Sequence, residues 1–158
     1  MKKRQKVLDD LFSSMQETLD LFDGSRIVFG KSYAPGKWRI RDLLIHISDT
    51  ETVLLDRLRR IASDEKPILA AFDQDLWVKS LMYDSRDMTL VKMQFHAARR
   101  SVIELATLVD ESVDAKTGTH TESGILTFAQ VLRKVADHNI HHLGQARAAI
   151  EGRVWKKE

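Results

Sequence analysis

The apolar positions of this chain fall into four long stretches with helical spacing. In residues 3–22 they are Val7, Leu8, Leu11, Phe12, Met15, Leu19 and Phe22. Recurrence at three and four residues is the period of one helix face. Leu43, Leu44, Ile47, Val53, Leu54, Leu58 and Ile61 predict a second helix, from Trp38 or Arg39 to about Ala62. Met88, Val91, Phe95, Ala98, Val102, Leu105 and Val109 predict a third over 87–109. The fourth, over 128–150, carries Phe128, Val131, Leu132 and Val135, then Ala146 and Ala149. Thr127 before it and Gln130 three residues on have the pattern of a capping box.

Between these stretches the pattern changes. Residues 24–37 hold Gly30, Pro35 and Gly36 and predict an irregular connection. Pro67 ends the second helix. The segment 63–86 nevertheless contains Ile68, Leu69, Phe72, Leu76, Trp77, Leu81 and Met82, too apolar for a free linker. It is expected to cross over the bundle, with a short helix at 73–81, or to form a lid or a subunit contact. Residues 110–126 are polar and turn-rich, and nothing in the chain reads as a convincing strand or a repeat. The expectation is an all-α protein, a four-helix bundle with a long crossover connection, forming a single domain over 1–158.

Composition narrows the function more than the fold. With 158 residues, 43% hydrophobic and 30% charged, the chain suits one ordinary globular domain. A net charge of +2, with the basic residues spread among 23 acidic ones, makes no nucleic-acid footprint. Lys2–Arg4 and the lysines at 156 and 157 read as solvated termini. The absence of cysteine removes disulfides, thiolate ligands and a cysteine nucleophile. No run approaches the roughly 20 apolar residues that cross a bilayer, and the acidic N-terminal stretch lacks a signal-peptide core. The expected location is cytoplasmic, without a membrane partner.

Two positions on the last apolar stripe are not apolar. His138 and His142 lie four apart between Val135 and Ala146, so their rings stack on one helix face within reach of one metal ion. Core histidines are the plainer reading. Two on one stripe leave four ring nitrogens to be satisfied away from water. His46 falls on the inward strip Leu43–His46–Thr50–Val53 of the second helix. Three inward imidazoles form a nitrogen set with open positions, as in catalytic rather than structural zinc sites. The ligand type suits Zn, Ni, Fe, Co or Cu over Mg or Ca, and one divalent Zn, Ni or Fe is the expected cofactor. His141 lies a step around the helix, flanking the site or facing water. His96 is expected to be exposed, and His120 has no periodic context. Asp42 and Asp49 flank His46 as candidate general bases, as partners for its imidazole or as solvated charges, and Gln145 could orient a ligand or the substrate. The other acids and arginines of the second helix read as solvent charges.

The segments Gly36–Glu51, Asp56–Pro67, Ala71–Trp77 and His138–Gln145 together resemble the DinB/YfiT-like family of metal-dependent bundle enzymes. The resemblance covers about residues 7–150. It implies a bundle with an N-terminal crossover, commonly a homodimer, and one divalent metal on three histidines, which carry over to His46, His138 and His142. It also implies a small-molecule substrate. Characterised members are transferases and isomerases that use low-molecular-weight thiols, so the resemblance implies thiol S-transfer first; hydrolysis by metal-bound hydroxide, with a nearby carboxylate as general base, is the alternative expectation. The competing expectation is a non-catalytic bundle or dimerisation module in which the histidines form a metal clip or a polar core.

Overall fold

Local chemistry sets the helix ends. The computed structural model describes residues 2–156, so Lys157 lies outside the described residues. Its helices are α1 (Lys2–Phe22), α2 (Arg26–Phe29), α3 (Ile40–Ser63), α4 (Gln74–Ser80), α5 (Met88–Leu108) and α6 (Phe128–Glu151). α6 starts at the expected capping box: Thr127 Oγ1 accepts from the Gln130 backbone N–H at 3.1 Å, and Gln130 Oε1 accepts from that of Thr127 at 2.8 Å. At the start of α3, Asp42 Oδ2 reaches back to accept the backbone N–H of Arg39 at 3.0 Å. The stretch 24–37, expected to be irregular, contains the single helical turn α2, and the short helix expected at 73–81 is α4.

The four long helices form the expected bundle. α1 packs on α5 and α6, and α3 packs on the same two. α1 therefore lies diagonally from α3, and the connection 23–39 crosses the end of the bundle. The interior divides into two apolar groups. One, around Leu54, Leu58, Val102, Phe128 and Leu132, fills one end. The other, around Met15, Leu43, Ile47, Phe95 and Ala146, fills the other.

The sequence reading missed a small sheet. β1 (Ile68–Leu69) pairs in parallel with β2 (Thr117–His120), which forms an antiparallel hairpin with β3 (Gly124–Thr127). Runs of two to four residues are too short for alternation to register. Gly124 (φ 72°) takes the left-handed conformation that closes the hairpin. The sheet matters because it carries His120 to the side of the bundle.

The expectation of solvated charges on α3 is also corrected. Asp42, Asp49, Glu51 and Arg57 are buried, as is Arg99 of α5. Arg99 donates from Nε and Nη2 to the two carboxylate oxygens of Glu51 at 2.6 and 2.8 Å, and from Nη1 to the Leu11 carbonyl at 2.9 Å. A fully formed pair of this kind ties three helices together, because removing either partner leaves an uncompensated buried charge.

Candidate metal centre

α3 and α6 bring three imidazoles to one point. His46 Nε2 lies 2.9 Å from His138 Nε2, which lies 3.2 Å from His142 Nε2. The rings meet at steep angles, between 57° and 82°, so their nitrogen lone pairs converge rather than stack. Among the described residues this is the one group of three or more potential ligands gathered closely enough to hold an ion. Metal–nitrogen bonds of 2.0–2.1 Å in a tetrahedral site put ligand nitrogens roughly 3.3–3.4 Å apart. The His46–His138 and His138–His142 separations are therefore within about half an ångström of what such an ion requires.

The protonation states also suit ligation. Burial pushes His46 down to about 3, with the charge of His142 adding to the effect. Burial lowers His142 to about 4, opposed by its hydrogen bond to Gln145. His138 lies well below the ordinary histidine value, first through burial and then through its histidine neighbours. All three are neutral at pH 7. Gln145 settles one tautomer: its Oε1 accepts from His142 Nδ1 at 2.7 Å, which leaves Nε2 as the lone-pair nitrogen facing the cluster.

Other candidates separate clearly. His141 does not join the cluster; its ring meets His142 and Trp155 edge-on, at 5.0 and 4.6 Å between centroids. Gly144 makes room for that tryptophan, since a Cβ there would lie 2.9 Å from Trp155 Nε1. His96 is exposed, as expected. Neither Asp42 nor Asp49 hydrogen-bonds His46. The Asp42 carboxylate accepts from the Arg39 guanidinium at 2.7 and 2.8 Å. Asp49 accepts from the Tyr83 hydroxyl at 2.9 Å, from Arg86 at 3.2 Å and from Gln94 at 3.1 Å. Burial and this carboxylate raise the Tyr83 pKa.

Periodicity did not single out Trp38, which precedes α3 and lies outside any stripe. Its indole centroid is 4.9 Å from the His46 ring and 6.5 Å from that of His142, walling one side of the cluster. Two cavities reach the histidines. One, about 330 Å³, is lined by Tyr33, Trp38, Asp75, His141, His142 and Gln145. The other, about 190 Å³, runs from His46 and His138 past Thr50 to Arg57, His120 and Lys134. Thr50 Oγ1 lies 3.5 Å from His46 Nε2. His120 is buried beside this second cavity, its Nδ1 accepting backbone N–H bonds from Glu122 and Ser123 at 3.2 Å.

Comparison with known proteins agrees with this architecture. The family model of the DinB superfamily matches residues 5–146. A protein of Oceanobacillus iheyensis named "Putative metal-dependent hydrolase" is 28% identical over 145 residues, spanning 92% of this chain and 82% of its own length. A protein of Halalkalibacterium halodurans with the same name is 22% identical over 120 residues, or 76% of this chain and 70% of its own. Among solved structures, YfiT from Bacillus subtilis superposes with a TM-score of 0.77 at 16% identity, covering 95% of this chain and 83% of that one. It is described as a probable metal-dependent hydrolase with an unusual four-helix bundle topology. The four-helix bundle protein TT2238 superposes with a TM-score of 0.63 at 21% identity, over 89% and 94% of the two chains.

Proposed function

Because this chain belongs to the DinB superfamily, we propose that it is a metal-dependent enzyme whose His46, His138 and His142 hold one divalent transition metal, zinc, nickel or iron, through Nε2. The observation that carries the reading is the convergence of three neutral imidazole nitrogens, those of His46 and His142 lying 2.9 and 3.2 Å from that of His138, on a point that two cavities reach. When bound, such an ion supplies a positive charge that lowers the pKa of a thiol or water and polarises a carbonyl.

The chain's own residues supply the rest. Gln145 holds the His142 proton on Nδ1, so the ligating nitrogen does not compete for it. Trp38 lies against the His46 ring, so one side of the cluster is apolar and the approach is confined to the cavities. Three protein ligands leave at least one position for a small molecule.

Of the two reactions the sequence leaves open, thiol S-transfer is placed first. Asp42 and Asp49, the carboxylates nearest His46 in sequence, are both engaged by arginine, so neither is free to take a proton from water. A thiol that ionises on arrival needs no such base. Hydrolysis is the second reading, favoured by the names of the relatives. The metal-loaded protein should be assayed with low-molecular-weight thiols plus an electrophile, and separately with esters and amides, against His138→Ala. Thiol consumption in the wild type alone supports the first reading, and ester or amide cleavage alone supports the second. Bound metal with neither activity would leave a structural clip.

A further inference from the structure

The smaller cavity has a charge pattern that holding a metal does not explain. Down one face of α3 run His46, Thr50, Leu54 and Arg57, and down α6 run His138 and Lys134, all lining the same 190 Å³ space. Away from the histidine cluster its wall thus carries two cations, Arg57 and Lys134, against one carboxylate, Glu122. Arg57 is only 5% exposed. Its Nη2 donates to the Ala70 carbonyl at 2.6 Å, but its Nε is buried without a hydrogen-bond partner. No carboxylate lies within ion-pair distance of it among the described residues; its chain neighbour Asp56 and Glu122, also on the cavity wall, act on it only through their charge. A buried guanidinium without a paired carboxylate is costly unless something anionic completes it.

We propose that this cavity is a carboxylate subsite: a small-molecule substrate reacting at the histidine cluster places a carboxylate against Arg57, with Lys134 supporting the charge. The position of the reacting atom rests on the metal-centre reading, whereas the anion site itself does not. Arg57 follows His46 by eleven positions, about 16 Å along the helix at 1.5 Å per residue, so an extended short-chain carboxylate is the form of ligand that reaches from one to the other. The guanidinium fork suits a planar carboxylate.

The test uses the full chain in two states. In metal-free protein, the Arg57 Nε–H resonance is followed by NMR during titration with hexanoate, 1-hexanol and hexyl phosphate. A saturable shift with hexanoate and none with hexanol is expected. No saturable shift with hexanoate, an equal response to hexanol, or tighter binding of hexyl phosphate would overturn the proposal. In zinc-loaded protein, calorimetry compares 6-mercaptohexanoate with 6-mercaptohexanol. The carboxylate should bind roughly tenfold tighter or more, the size of one charge-assisted hydrogen bond. That preference should vanish in Arg57→Gln while zinc stoichiometry and alcohol binding stay unchanged. Failure to take up zinc would sink the metal-centre reading alone, because the metal-free titration still decides the anion site.

Discussion

Replacing Gln145 by leucine removes a single hydrogen-bond acceptor from a buried histidine, and the consequence can be worked from the geometry. Gln145 Oε1 accepts from His142 Nδ1 at 2.7 Å, and both side chains are buried. With the acceptor gone, the His142 N–H is left unsatisfied, at about 1–3 kcal/mol. The imidazole can avoid that by moving its proton to Nε2, but Nε2 is the nitrogen that faces His138 and the proposed ion. Either route weakens metal binding, and loss of such an outer partner typically lowers affinity about 10–100-fold. Gln145→Glu keeps an acceptor in the same place and should retain wild-type affinity or exceed it. Zinc affinity is measured by competition with a chromophoric chelator at pH 7.5, with urea unfolding of the metal-free proteins alongside. Gln145→Leu binding zinc as tightly as the wild type would refute the reasoning. So would Gln145→Glu falling as far as Gln145→Leu.

Three further outcomes follow from the same structure. In the metal-free protein the folded-state values of the cluster histidines lie below their unfolded value, so between about pH 6.5 and 4 the unfolded chain binds more protons and stability falls as pH falls. For His142 the drop from 6.5 to about 4 amounts, at 1.36 kcal/mol per pH unit, to about 3 kcal/mol lost at the acid end. Urea midpoints across this range should show that loss, and a flat profile would contradict neutral buried histidines. Arg99→Met should destabilise by about 3–5 kcal/mol by stranding Glu51, whereas Arg99→Met with Glu51→Met should recover much of that; equal losses in the single and double variants would disprove the pairing. Met82 is exposed at φ 50°, a conformation that glycine adopts without strain, so Met82→Gly should raise the urea midpoint by the equivalent of about 0.5–1 kcal/mol.

Much of this was legible before any coordinates, for physical reasons that differ by element. The four helices show in the sequence because each stripe repeats over some twenty residues, long enough for period to dominate propensity. His46, His138 and His142 stood out because they occupy apolar stripe positions, and the structure brings those three nitrogens together. Glu51 and Arg99 carried the same signal: Glu51 lies between Ile47 and Leu54, and Arg99 between Phe95 and Val102. Glu51 reads as a surface charge because one sequence does not show that a second helix brings Arg99 face to face with it. Asp49 is hidden for the same reason, since its partner Arg86 lies far along the chain, whereas the Asp42 partner Arg39 is only three residues away, at the start of α3. The strands escaped because they are shorter than any window in which alternation can be seen. Trp38 and the Arg57 cavity depend on how the bundle closes, which no local pattern encodes.

The most direct test of the central claim is metal content of the purified protein, wild type beside His46→Ala, His138→Ala and His142→Ala. The account predicts about one zinc, nickel or iron per wild-type chain, lost in each variant while the helical signal is retained. A wild-type protein that holds no metal, takes up none on titration, and is strongly destabilised by each alanine would contradict it and leave the three histidines as core residues.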